Sequence, residues 1–322
     1  MRINNGYVDE HIPEGTDIVR EINRLKEKKN AIIMAHYYTV PEVQDIADFI
    51  GDSLALSQKA AETDADIIIF AGVHFMGETA KILSPEKKVV VPDLNAGCSL
   101  SESCKPEDFA EFINKNPGYT VISYVNTSAG VKALTDIVCT SSNAVKIVDS
   151  LPREEKIIFG PDRNLGNYIK SVTGRENMLI WDGACHVHEE FSLAKIIELK
   201  NEHPDAKILA HPECKKPILL VADYVGSTAA LLDYARKDDS QKYIVVTESG
   251  ILHQMMKENP EKLFIPAPPI DSTCGCNDCI FMKLINLNKI YNSLKYEAPE
   301  IHINEELRIK AEKSIRRMLE MS

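Results

Sequence analysis

A register of 87 to 88 residues runs through this chain and limits what it can fold into. His36 and Tyr124 lie 88 positions apart, and Tyr124 and His211 lie 87 apart. Ser53, Ser141 and Thr228 repeat the same two intervals. A period of that size is a domain rather than one turn of a solenoid. Within each copy, short apolar runs alternate with helical patterns. Strands are expected at residues 31–35, 67–70 and 89–91, then at 120–123, 156–159 and 178–181, then at 207–210, 243–246 and 263–265. Residues 17–29 place Ile18, Ile22 and Leu25 on one helical face behind Asp17 as N-cap. A short helix is expected after Pro41, with Val43, Ile46 and Ile50 apolar, and Ser53 opens the next. This alternation predicts an α/β protein with mainly parallel sheets covered by helices. The expected architecture is three homologous α/β/α domains, pseudo-threefold about a central cavity, at residues 1–104, 105–188 and 189–322. The last includes a C-terminal packing helix carrying Leu307, Ile309, Ile315 and Leu319.

The 322 residues exceed one ordinary core. A net charge of −11 argues against nucleic acid or an anionic membrane as the main partner. No run approaches about 18 apolar residues, and the first residues lack an apolar core of signal-peptide length. The expected location is the cytoplasm. Eight cysteines in such a chain point to metal, redox or catalytic work rather than structural disulfides. Cys139 and Cys214, each alone, read as small buried hydrophobes.

In open α/β units, ligands bind at the carboxyl ends of strands. Those ends carry His36 and Tyr38, Tyr124 and Asn126, and His211 and Glu213. Any one residue is as easily an ordinary loop side chain, but three coincident pairs favour a shared cavity. Ser53, Ser141 and the Ser227–Thr228 pair sit at predicted helix starts. Each is an ordinary N-cap by itself; three together would suit a small, multiply anionic ligand. No phosphate-loop glycine motif is present, which disfavours ATP and dinucleotides. After the third strand of the second repeat, WDGACHVH (181–188) delivers Cys185, His186 and His188. Cys98 takes the same place in the first repeat, and the third offers Cys274, Cys276 and Cys279. One thiolate per repeat suits an iron–sulfur cluster with one iron left open, and an open metal position suits Lewis-acid catalysis. Zinc with His186 or His188 as fourth ligand is the rival reading. The local CxCxxC group could also bind zinc alone or form a disulfide.

These residues resemble the quinolinate synthase family of iron–sulfur enzymes in de novo NAD biosynthesis. The matching stretches are AHYY (35–38), IGDSL (50–54), NAGCSL (95–100), YVNTSA (124–129), CTSSNA (139–144), WDGACHVH (181–188), AHPEC (210–214), VGSTA (225–229), TESGILH (247–253) and CGCNDCIFMKL (274–284). They span nearly the whole chain in order. The resemblance implies a transferase that condenses iminoaspartate with dihydroxyacetone phosphate to quinolinate, with loss of phosphate and two waters. It implies a [4Fe-4S] cluster on three cysteines, matched here by Cys98, Cys185 and Cys279. The choice of Cys279 follows from the Met282-Lys283 pair after it; the repeat alignment by itself points to Cys274. A reversible Cys274–Cys276 disulfide is a further implication. His36, Tyr38, Ser53, Tyr124, Asn126, Ser141, His188, His211, Glu213, Ser227 and Thr228 match the family's substrate-site positions. Among them Glu213, helped by His211, suits the general base. Tyr38 and Tyr124 suit proton relay or oxyanion contacts, His188 is a substrate-facing catalytic position, and the hydroxyls and Asn126 suit carboxylate and phosphate. Handover of iminoaspartate from an aspartate-oxidising enzyme is compatible with this reading. The alternatives are a [4Fe-4S] hydro-lyase acting on a small hydroxy acid, a zinc-stabilised binding protein, or an electron carrier.

Overall fold

The fold is that of a computed structural model in which residues 3–271 and 277–322 are described. Cys274 and Cys276 lie outside the described residues. A small antiparallel hairpin, β1 (Ile3–Asn4) and β2 (Tyr7–Val8), precedes the repeats. The first sheet comprises β3 (Ala31–His36), β4 (Phe49–Gly51), β5 (Ile67–Ala71) and β6 (Lys88–Val90). The second comprises β7 (Thr120–Tyr124), β8 (Ile137–Cys139), β9 (Ile157–Gly160) and β10 (Met178–Ile180). The third comprises β11 (Lys207–Ala210), β12 (Tyr224–Val225), β13 (Lys242–Val246) and β14 (Leu263–Pro266). Every sheet has the same spatial order, second–first–third–fourth, and every pairing within it is parallel. The chain is therefore an α/β protein of three like units. Central strands such as β5 are buried along their whole length, as parallel strands covered on both faces must be.

Each sheet has four strands where the apolar runs alone suggested three. The extra one is the short edge strand, β4, β8 or β12. The helix expected to run through Ile50 stops at Ile46, and Ile50 belongs to β4. An aspartate fixes each edge strand by a two-way clasp on the first strand of its sheet. The Asp48 carboxylate accepts from Ile33 N at 2.8 Å, and its own N–H donates to Ile33 O at 2.9 Å. Asp136 makes both bonds with Val121, and Asp223 with Ile208. The helix expected to start at Ser141 begins at Ala144 instead, with Ser141 in the turn before it. Helix Ile18–Lys29 is capped as expected, Asp17 accepting from Arg20 N at 3.1 Å.

Chain order and spatial order part at the C-terminus. Helix Leu287–Tyr296 packs on helix Ile18–Lys29, and helix Glu305–Met321 packs on helix Ala129–Lys132 and β8. Ile315 and Met318 join the core shared by the first two units. The third unit is joined to the first through Gln44, whose buried Nε2 donates to the carbonyls of Tyr37, Thr39 and Gly250 at 2.8, 2.8 and 3.0 Å. Gly250 is needed there: a Cβ would sit 2.7 Å from Tyr38 Cα and 2.8 Å from Tyr37 O.

Candidate active site

The order second–first–third–fourth puts a topological switch point between the first and third strands of each sheet, outside their carboxyl ends. At those ends the chain turns sharply and aims side chains inward. After β3, Thr39 Oγ1 donates to His36 O at 2.9 Å; after β7, Thr127 Oγ1 donates to Tyr124 O at 3.1 Å. Tyr38 N donates to His36 Nδ1 at 3.2 Å, which orients the ring, and Glu213 N approaches His211 Nδ1 at 3.4 Å in the same way. Lys132, fully buried, donates to Val125 O at 2.8 Å and to Thr127 O, so it fixes the loop that presents Tyr124 and Asn126.

One central cavity receives these groups from all three units. His36, Tyr38, Ser53, Tyr124, Asn126, Ser141, His188, His211, Glu213 and Thr228 line it, together with Cys98, Cys185 and Cys279. Ser227 does not line it; its hydroxyl accepts from Ala230 N at 3.3 Å as an N-cap. Val73, Phe75, Met76, Phe281 and Met282 supply apolar wall.

The polar side chains form a continuous chain of contacts. Tyr38 Oη lies 2.8 Å from Thr228 Oγ1 and 2.7 Å from Thr247 Oγ1. Thr247 Oγ1 lies 3.0 Å from His188 Nε2, and His188 Nδ1 lies 3.0 Å from Glu213 Oε2. Tyr124 Oη donates to the other carboxylate oxygen, Oε1, at 2.6 Å. His211 stacks on His188 with ring centroids 4.7 Å apart, and its Nε2 lies 3.2 Å from Ser141 Oγ. Asn126 Oδ1 is buried without a hydrogen-bond partner.

Burial sets the charges. It lowers His36 and His211 to about 3, so both imidazoles are neutral. It raises Tyr38 and Tyr124 well above the ordinary phenol range. Burial also opposes ionisation of Glu213, but His188, His211 and the Tyr124 hydroxyl overcome it and hold the carboxyl at about 2. Burial raises the thiols too: Cys279 to about 11, Cys98 to about 12, and Cys185 well above its usual value. Cys139 and Cys214 are fully buried and do not line the cavity.

Four participating side chains escape a reading of motifs alone. Thr247 bridges Tyr38 and His188. Asp52 caps helix Ser53–Glu62 and accepts from Ser142 Oγ at 2.6 Å across the unit boundary. Asp162 and Glu248, both fully buried, lie beneath two of the thiols. Asp162 Oδ2 accepts from Cys185 N at 3.2 Å while Oδ1 caps Leu165 N at 2.7 Å. Glu248 Oε1 accepts from Cys279 N at 3.0 Å and pairs with Lys283 Nζ at 2.7 Å. Strand pairing makes them equivalent: Gly160 opposes Ser123 and Val246 opposes Ala210, two residues before each carboxylate. The matching place in the first unit is Val73. That register is the signal that could have found them.

Fold and cavity define an α/β protein with three thiols beside a chain of buried tyrosine, histidine and glutamate side chains. A model of the family described as Quinolinate synthetase A protein matches residues 20–320. A quinolinate synthase of Microcystis aeruginosa is 58% identical over 306 residues, 95% of each chain. That of Thermosynechococcus vestitus is 56% identical over 310 residues, 96% of this chain and 97% of its own. That of Trichodesmium erythraeum is 55% identical over 321 residues, 100% of this chain and 98% of its own. The chain belongs to the quinolinate synthase family. No described helix is long and apolar enough to cross a membrane.

Proposed function

We propose that the chain condenses iminoaspartate with dihydroxyacetone phosphate to form quinolinate, releasing phosphate and two waters. The observation that carries this reading is the Tyr124–Glu213–His188 relay placed in one cavity with three thiols from three repeats. Cys98, Cys185 and Cys279 are free thiols on that cavity, and among the described residues the three sulfurs do not form a group within 4.8 Å of one another as a single ion requires. All-thiolate donors at wider spacing fit a polynuclear iron–sulfur group. Bound there by Cys98, Cys185 and Cys279, a [4Fe-4S] cluster would supply Lewis acidity at its open iron for the dehydrations.

The chain's own residues account for binding and proton movement. Glu213 takes a proton from the carbon that forms the new bond, and Tyr124 and His188 pass protons to and from it. Tyr38, held between two threonine hydroxyls, serves the opposite side of the cavity. His36, Asn126, Ser53, Ser141 and Thr228 bind carboxylate and phosphate oxygens, and Ser227 contributes by capping the helix that presents Thr228. The unpaired Asn126 Oδ1 suits a substrate hydroxyl. The three units divide near residues 104 and 188. The enzyme works in the cytoplasm, receiving iminoaspartate from an aspartate-oxidising enzyme.

The test is anaerobic reconstitution with iron and sulfide, followed by quinolinate assay on the two substrates. About four iron and four sulfide per chain are expected, with quinolinate as product. Glu213→Gln should keep the iron and lose turnover. Full turnover in that variant would remove Glu213 as the base, and an iron-free active enzyme would remove the cluster.

A further inference from the structure

Cys185, His188 and Glu213 bring one thiol sulfur, one imidazole nitrogen and one carboxylate oxygen within 4.8 Å of one another, and among the described residues no other three metal-ligating side chains do so. His188 and Glu213 are each 2% exposed. Two further observations point to a ligand there. His188 Nδ1 is buried and lies 3.0 Å from Glu213 Oε2, so two of the candidate ligand atoms already stand side by side. His188 Nε2 lies 3.0 Å from the Thr247 hydroxyl, so the ring's other nitrogen is already engaged. An imidazole oriented in this way through its second nitrogen is how metal-binding histidines are held.

We propose that the cluster-free chain binds one Zn2+ at Cys185, His188 and Glu213. The donor set is one that zinc favours, with three protein ligands and a fourth position facing the cavity. Zinc–ligand bonds of about 2.0–2.3 Å place tetrahedral ligand atoms roughly 3.3–3.8 Å apart, so side-chain rotations close the site. Cys98 and Cys279 take no part. Cys185 would belong to both this site and the three-thiol site, which makes zinc and the iron–sulfur group mutually exclusive. That exclusion rests on the function proposed above; the zinc site does not. Zinc excess during assembly would then divert the chain into a state that cannot take up iron and sulfide.

The test titrates chelator-treated, reduced, anaerobic protein with Zn2+ against a chromophoric chelator, in a Cys274→Ser/Cys276→Ser background. One Zn2+ per chain is expected. Binding should weaken at least tenfold in His188→Ala and Glu213→Gln and stay unchanged in Cys98→Ser and Cys279→Ser. Co2+ should show the charge-transfer band of one thiolate, a readout that does not depend on comparing variants. Loss of Zn2+ in Cys98→Ser or Cys279→Ser, or a three-thiolate Co2+ spectrum, would place the ion on the thiols and overturn the site, as would no binding at all. Preloaded Zn2+ should slow iron and sulfide uptake; normal uptake with Zn2+ still bound would overturn the exclusion. Full iron loading in Cys98→Ser and Cys279→Ser would instead sink the three-cysteine reading and leave the zinc result standing.

Discussion

Tyr124 ends the first strand of the second repeat and Glu213 sits in the turn after the first strand of the third, and the phenol of one donates to the carboxylate of the other at 2.6 Å. The bond is buried and joins the second unit to the third at the point where acid–base chemistry is proposed. Tyr124→Phe removes the hydroxyl donor to Glu213 Oε1. Turnover should fall about 100-fold, the scale of a lost acid–base contribution, with a smaller change in KM. Steady-state quinolinate formation on iron-replete protein measures this. Wild-type turnover would take Tyr124 out of the relay.

Stability should depend on pH through the buried histidines. His36 and His211 are lowered from 6.5 to about 3 by burial. As pH falls below 6.5 the unfolded chain takes up protons that the folded chain refuses until about pH 3. Folding stability therefore declines across that window and is level above it. Glu213, lowered from 4.5 to about 2, adds loss in the same direction at the acid end. Thermal midpoints measured from about pH 4.5 to 8 should drop below pH 6.5, and His211→Gln should flatten the slope. A midpoint independent of pH would show that these imidazoles are not buried neutral.

Gly250→Ala should separate the first and third units. Its Cβ would meet backbone atoms of Tyr37 and Tyr38, which cannot swing aside as a side-chain tip can. Overpacking of this kind costs about 1–3 kcal/mol, and Tyr38 would move with the strained loop. A lower thermal midpoint together with reduced turnover is expected. Unchanged values for both would mean that the loop has room the geometry denies.

Asp162→Asn and Glu248→Gln test the carboxylates beneath Cys185 and Cys279. Each variant keeps its shape and one acceptor oxygen, and Asn is still a good N-cap for helix Arg163–Thr173. One N–H now faces an amide NH2 instead of a carboxylate oxygen. Bound iron should be lost to a chelator about tenfold faster, with the apoprotein's thermal midpoint little changed. Wild-type iron retention would reduce both carboxylates to caps.

The three-unit plan was legible because strand-end residues recur at fixed intervals, and parallel strands buried on both faces stand out as apolar runs. The edge strands were not legible. Two or three residues such as Tyr224–Val225 are too short to show any alternation, and what fixes them is a single aspartate whose partner lies 15 residues back. Most of the cavity lining could be read for the same reason as the repeat. Thr247 and Glu248 could not be, because their partners, Tyr38, His188 and Cys279, lie on other loops. Ser227 shows the converse: a hydroxyl at a helix start turned out to serve the helix. Cys279 lines the cavity, and Cys274, to which the alignment of repeats by length points, lies outside the described residues.

The three units present His36, Tyr124 and His211 at equivalent strand ends, followed two residues later by Tyr38, Asn126 and Glu213. A perfectly threefold chamber would be degenerate: an unsymmetrical guest could enter in three equivalent orientations, and two of them would be unproductive. Orientation can be chosen only where the copies have diverged. The phenol standing where the other units have imidazoles, and the trio of phenol, amide and carboxylate, are the symmetry-breaking positions. Exchanging residues between equivalent places, rather than deleting them, is therefore the way to ask which end of the substrate each unit reads.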